Sequence, residues 1–402
     1  MPSICLYFQV HQPNRLKPYT FFDIGNDHFY ENDWMNGDVV NRVAEKCYLP
    51  ANKLMLKLIN EFPGKFKVCF SLSGTVIEQF ENHRPDVLES FAALAATGDV
   101  EFLGETYYHS LSFFYSEAEF KRQVKLHRDK IWQHFRQKPR VFRNTELTYN
   151  NDLAAMLDSM GYKGVVAEGV DKYLEERSPN HIYHSAAAHS IGVLLRNHKL
   201  SDDIGFRFSD RNWEEYPLYP QKFSQWIAQS GGELINIFMD YESIGEHQWA
   251  DTGIFDFFEK LPGEVLGHKD MAFVTPSEAI VKYKAKGIYD VEEVTSWADQ
   301  ERNLSAWNGN NMQKEALKKI FALEKLVKRS RNKDLIHVWA KLQTSDHFYY
   351  MSTKGHTDGM VHDYFSPYSS PYDGYIYFMN TLSDLEIMLN QRNRKKTSLH
   401  LE

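Results

Sequence analysis

The feature that most limits what this chain can become is an alternation. Short apolar runs recur from the first residues to about residue 280, and amphipathic helical patterns fill the intervals. The runs "ICLYFQV" (4–10), "FKVCFSLSG" (66–74), "VEFLGETYYH" (100–109), "RVFRNTE" (140–146), "YKGVVAEG" (162–169), "GVLLRN" (192–197), "LINIFMD" (234–240) and "MAFVTP" (271–276) read as strands. Helical patterns cover 41–62, interrupted by Pro50, then 84–97, 116–135, 151–160 and 220–229. In 116–135, Ser116 and Glu119 are spaced as a capping box, and Phe120, Val124, Ile131 and Phe135 keep to one face. The strands are mostly apolar runs, as strands are when both faces are buried. This predicts an α/β fold, a parallel sheet with helices outside, open or closed as a barrel. A count of about seven central strands favours the barrel. After about residue 295 the pattern turns helical. Leu317, Ile320, Leu323 and Val327 recur at helical spacing, as do Ile376, Met379, Leu382, Leu385 and Leu389. The expected division is therefore 1–290 for the α/β part and 291–402 for a helical part packed on it.

Charge and composition remove several functions. A net charge of −8 counts against nucleic acid and anionic membranes, which need clustered Lys and Arg. The basic run "QRNRKK" (391–396) is short and is expected to be a solvated tail. No apolar stretch approaches the roughly 20 residues of a membrane span. The run from Ile4 to Val10 is too short for a leader and lacks a basic segment before it, so the chain reads as soluble and cytoplasmic. Cys5, Cys47 and Cys69 show no paired spacing, which fits a reducing compartment and excludes a thiolate zinc site. No metal and no cofactor are expected. Aromatic residues reach 14%, enough for a large aromatic core or for rings stacked on sugars in a cleft.

In α/β barrels the chemistry sits at the C-terminal ends of strands. Here those ends are polar. His11, Gln12 and Pro13 follow the first strand; Glu101, Glu105 and His109 lie on the third; Arg143, Asn144 and Glu146 end the fourth; Asp240 and Glu242 end "LINIFMD". Strand alternation places Asp240 and Glu242 on one face, and likewise Glu101 and Glu105. Two carboxylates facing each other among aromatics are what glycosidic cleavage needs, one ionised to attack the anomeric carbon and one protonated for the leaving oxygen. A third carboxylate helps retain that proton, because like charges raise a neighbour's pKa, and Glu242 is placed to do so. Glu246 and His247 read as loop groups beyond a turn at Gly245.

The stretches "HQP" (11–13), "GDVEFL" (98–103), "FRNTEL" (142–147), "MDYESIGEH" (239–247) and "TSDHFYYM" (344–351) resemble, in order, the five conserved stretches of glycoside hydrolase family 57. The resemblance is closest to the α-amylase branch and covers residues 5 to about 380. It implies an incomplete seven-stranded (β/α)7 barrel with a C-terminal α-helical domain that contributes to the active-site cleft. It also implies retaining cleavage of α-1,4-glucosidic bonds in malto-oligosaccharides, starch or glycogen. By position, Glu146 resembles the nucleophile and Asp240 the general acid/base. Glu101, Glu242 and Asp346 resemble carboxylates lining the central subsite, and His11 a substrate-contacting histidine. Tyr349 falls where relatives often carry Trp, so stacking on sugar there is expected to be weaker or different.

Three other readings stay open on sequence. A 4-α-glucanotransferase would use the same two carboxylates and differ only in what reaches the glycosyl-enzyme. A metal-dependent deacetylase-like site would draw on His11, His109, His247 and Asp240, but the chain has no HxxxH pair and no strand-end Asp-Asp dyad. A carbohydrate-binding protein without turnover would not need both catalytic positions filled.

Overall fold

Ten strands form the framework: β1 (Ser3–Val10), β2 (Val68–Leu72), β3 (Val100–Phe102), β4 (Val141–Arg143), β5 (Gly164–Glu168), β6 (Ile182–Ser185), β7 (Gly192–Arg196), β8 (Leu234–Asp240), β9 (Ala272–Phe273) and β10 (Ile288–Tyr289). The structure, a computed structural model, describes residues 2–398. It is an α/β fold with a helical C-terminal part. β1 pairs in parallel with β8 on one side and β2 on the other, and β2 pairs with β3. Beyond Phe102 the ladder continues through Gly104. Its amide donates to the Val141 carbonyl at 2.9 Å, and the Arg143 amide donates to its own carbonyl at 2.8 Å. β4 then pairs with β5, β5 with β7, and β7 meets β8 at Arg196 and Asn236, all in parallel. The series thus returns to β1.

Two apolar clusters cover the two faces, which is why the runs are apolar throughout. On β8, Ile235, Ile237 and Met239 join an outer cluster with Ile4, Leu6 and Phe8 of β1 and the surrounding helices. Leu234 and Phe238 join an inner cluster with Cys5, Tyr7, Cys69 and Val166. Each such side chain contributes about 1.5–3 kcal/mol on leaving water.

Several elements differ from the sequence expectation. The helical run is not broken at Pro50. A π-turn (Ala44–Tyr48) leads directly into the helix Leu49–Glu61, and the Leu49 amide reaches back to the Ala44 carbonyl. Pro50 falls in the first turn of that helix, where its missing N–H costs no bond. β3 ends at Phe102 rather than near residue 109. β6 and β10, unmarked in the sequence, add an edge: β6 runs antiparallel to β7 and carries β10 outside it.

The chain divides into two compact units. The first comprises Met1–Gln12, Asp38–Glu105 and Val124–Trp297; the second comprises Pro13–Gly37, Thr106–Gln123 and Ala298–Glu402. The main boundary thus follows Trp297, and two earlier segments belong with the C-terminal unit. In that unit Leu317, Ile320 and Val327 are buried, as are Leu382, Leu385 and Leu389 of the helix Pro371–Ser398. Buried Asp384 accepts from the Gly25 amide at 2.7 Å and the Tyr30 hydroxyl at 2.5 Å and pairs with His28, which ties the early segment to that helix. The backbone of "QRNRKK" lies in this same helix. Among the described residues no helix is long and apolar enough to cross a membrane.

Candidate active site

The end of β8 places the first pair of carboxylates. Asp240 follows Phe238 by two residues and so continues the inner face, opposite Gln9 in the β1 register. Glu242 does not follow by strand alternation. The chain turns into a short 3₁₀ segment, Tyr241–Ser243, which buries the Tyr241 ring in the outer cluster and carries Glu242 inward. Glu242 is 6% exposed. The Tyr48 hydroxyl, placed by the π-turn, donates to its carboxylate, and the His11 amide also reaches it. Its pKa is pushed up to about 8, first by burial and then by the charge of Asp240. The like-charge effect expected to act on Asp240 is thus visible on Glu242, which holds a proton at neutral pH. Gly245 closes the turn at φ +105°, where a Cβ would meet the Lys46 carbonyl oxygen at 2.1 Å, so only glycine fits. Beyond it Glu246 pairs with Arg42 and Lys46, and burial pushes the His247 imidazole down to about 4, leaving it uncharged.

The end of β4 presents Glu146 differently. After Asn144 the chain makes a tight turn in which Glu146 (φ 59°, ψ 31°) and Leu147 (φ 51°) both lie in the left-handed region. For non-glycine residues this costs about 1–3 kcal/mol each, a strain typical of functional sites. The segment Thr295–Trp297 supports the turn. Thr295 and Tyr149 exchange backbone bonds at 2.9 and 3.0 Å, and the Ser296 hydroxyl donates to the Glu146 carbonyl at 2.9 Å. Trp297 Nε1–H donates to Glu146 Oε2 at 2.9 Å. The Trp297 ring lies by two guanidinium groups, with Arg143 at 5.2 Å and Arg196 at 5.7 Å from its centroid. Arg196 is ion-paired to Glu168 at 3.1 Å and to Asp202 at 2.5 Å. Arg143 is fully buried, and none of its three guanidinium nitrogens has a hydrogen-bond partner. Sequence reasoning missed Trp297, because it lies in no periodic element and some 150 residues after Glu146.

On the inner face, Tyr7, Ser71 and Gln9 form a hydrogen-bonded ladder with contacts of 2.5–2.8 Å, and Gln9 Nε2 donates to Glu105 Oε1 at 3.3 Å. Glu105, fully buried, is the acid that the third strand run brings beside Gln9. Glu101 sits lower, opposite Cys69, and accepts from the Ser277 amide at 2.9 Å and the Ser277 hydroxyl at 2.5 Å. Its carboxyl, raised by burial, anchors the helix Pro276–Lys282. His11 is half-buried and bonds the Ser73 hydroxyl through Nδ1 at 2.7 Å.

Asp346 and Tyr349 belong to the second unit, on the short helix Ser345–Tyr349. The Tyr349 ring stacks on His362 at 3.7 Å, so one of its faces is already taken. In the same unit the carboxylates of Asp299, Glu301 and Asp358 lie close enough to hold an ion, but Lys354 already pairs with the first two at 2.7 and 2.8 Å.

Comparison with known proteins places this geometry. A protein of Methanocaldococcus jannaschii, provisionally named as an alpha-amylase, is 43% identical over 401 residues, covering 96% of this chain and 85% of that protein. The fold is similar to a family 57 branching enzyme of Thermococcus kodakaraensis, with a TM-score of 0.67, 12% identity, and 90% of this chain and 87% of that chain covered. It is also similar to 4-alpha-glucanotransferase of Thermococcus litoralis, with a TM-score of 0.65 and 16% identity; 86% of this chain matches, but only 56% of that longer one. The model of glycosyl hydrolase family 57 matches residues 5–292, and the chain is a glycoside hydrolase of that family.

Proposed function

We propose that this chain cleaves α-1,4-glucosidic bonds of malto-oligosaccharides, starch or glycogen by double displacement, with Glu146 as nucleophile and Asp240 as general acid/base. The observation that carries this reading is the contrast between two strand-end acids. One is held by an indole N–H beside a buried guanidinium. The other lies next to a buried carboxyl that keeps its proton near pH 8. In the first step Glu146 forms a bond to the anomeric carbon, the bond to the leaving oxygen breaks, and the proton of Asp240 goes to that oxygen. In the second, Asp240 takes a proton from water, whose oxygen displaces Glu146. His11 and Glu242 border the reacting sugar, and Glu242 steadies the charge of the pair. The roles of Asp346 and Tyr349 rest on the resemblance of their stretch alone. The same reading takes β1, β2, β3, β4, β5, β7 and β8 as the incomplete (β/α)7 barrel, with its weakest joints at Gly104 and at Arg196–Asn236.

Incubation with maltotriose tests the reading. Glucose and maltose as the only products support hydrolysis. A ladder of longer oligomers replaces it with transfer by the same two residues. No product from maltotriose, maltoheptaose or glycogen, in an enzyme shown to be folded, overturns both.

A further inference from the structure

We propose that the first unit carries a second carbohydrate site, away from the strand-end carboxylates, that holds a stretch of glucan chain without cutting it. The site is a cavity of about 750 Å³ beside the helices His198–Gly205 and Pro220–Gln229. Its size is that of a small-molecule site. The choice of α-glucan rests on the function proposed above; the choice of a sugar rests on the lining alone.

Two indoles, Trp213 and Trp226, line the cavity at a centroid distance of 6.1 Å. Both are half-buried, whereas Trp307 and Trp339, which fill the core, are at most 1% exposed. Arg207 lies over the Trp213 ring at 5.8 Å and Lys222 over the Trp226 ring at 5.3 Å, so a ligand would meet the remaining apolar surface of each indole. The acids of the lining are compensated. Asp203 pairs with Arg207 at 2.7 Å, and Glu215 pairs with Lys222. The other lining charges include one of each sign, Lys199 and Asp171. An anion or a cation would therefore meet no surplus charge. A neutral ligand with hydroxyl groups would meet fixed carboxylates and a guanidinium, while Asn180 and Asn197, bonded to each other and to the Ser230 carbonyl and Leu200 amide, keep the wall in place. A ligand with hydroxyls on its edge and C–H groups on its faces satisfies both parts of this lining, and that is the chemistry of a sugar ring.

The cavity is not the reacting site. Arg196 marks the divide: its guanidinium turns to Glu168 and the Trp297 ring, while Asn197, next in the chain, lines the cavity. None of Glu146, Asp240, Glu242 and Trp297 lines it. The stretch 206–219 also leaves Phe206, Tyr216 and Tyr219 exposed at 68%, 40% and 58%, so further rings are available to a longer chain.

The test compares Trp213→Ala and, as the milder change, Glu215→Gln, with the parent enzyme. Two quantities are read: turnover of maltotriose, and migration in native gels containing glycogen, measured in the Glu146→Gln background so that nothing is cleaved. The expected result is maltotriose turnover within about twofold of the parent and glycogen affinity weaker by roughly tenfold in Trp213→Ala, with a smaller loss in Glu215→Gln. Unchanged migration of both variants overturns the second site and leaves the catalytic reading standing. Loss of maltotriose turnover together with migration in the conservative Glu215→Gln variant also overturns it, because the cavity would then belong to the catalytic site. A parent that neither binds glycogen nor cleaves maltotriose refutes the α-glucan reading itself.

Discussion

The ends of β4 and β8 deliver one carboxylate each to the proposed reaction, and their surroundings are opposite. Glu146 accepts from the Trp297 indole N–H, and that indole ring lies by the buried Arg143 and by Arg196. Around Asp240 the neighbour is another acid, the buried Glu242, which accepts from the Tyr48 hydroxyl. The first environment gives the carboxylate an N–H donor, as the proposed attacking group needs. The second favours retention of a proton on Glu242. The strained backbone belongs only to the first, where a rigid support holds the attacking oxygen in one place. On the proposed reading, two residues of nearly the same chemistry take different roles from what is packed beside them.

The most severe way to break this contrast is Glu146→Gln, which removes the attacking charge and leaves the shape. Turnover of maltotriose should fall by more than about 10³-fold, and mass spectrometry should detect no glycosyl-enzyme. Full activity would remove Glu146 from the role.

Arg143→Met is next. It deletes a buried charge that has no hydrogen-bonding partner and keeps most of the volume. Activity should drop by about 10²-fold while Tm rises, because a desolvated, unsatisfied cation destabilises the fold. A fall in Tm would show instead that the guanidinium holds the structure together.

Trp297→Phe removes one bond to Glu146 and keeps an aromatic ring. A loss of about tenfold in kcat, with KM nearly unchanged, is expected. A change confined to KM would make Trp297 a substrate contact rather than a support for the nucleophile.

The mildest change is Glu242→Gln, and it is read through pH. In the folded enzyme Glu242 stays protonated up to about 8, whereas in the unfolded chain it ionises in the ordinary carboxylate range. The folded state therefore binds the extra proton between those limits, and wild-type stability falls as pH rises through that window. The Gln variant should lose that part of the slope and the alkaline limb of kcat/KM near pH 8. Identical pH profiles in the two proteins would refute the retained proton.

Much of this was legible in the chain. The strand-end residues Asp240 and Glu146 follow from reading apolar runs into acidic ends, and β8 begins and ends where "LINIFMD" does. Other features could not be read locally. Alternation suggested that Glu242 shares a face with Asp240, yet a 3₁₀ turn places it, and its proton depends on Tyr48, nearly two hundred residues earlier. Glu101 looked equivalent to the other strand acids. Register puts it opposite Cys69, low in the sheet, where its bonds go to Ser277. Pro50 looked like a break, but helix position makes its missing N–H harmless.

What the sequence determined by itself is periodicity: where most of the strands lie, that they are buried on both faces, and which acids follow them. Periodicity is a property of neighbouring residues, so it survives in one dimension. Only the tertiary structure decided which acid is bonded to Trp297, which to Tyr48, and which to Ser277 of a helix. Those partners lie scores to hundreds of residues away, and the charge state of a carboxyl is set by the few ångströms around it rather than by its place in the chain.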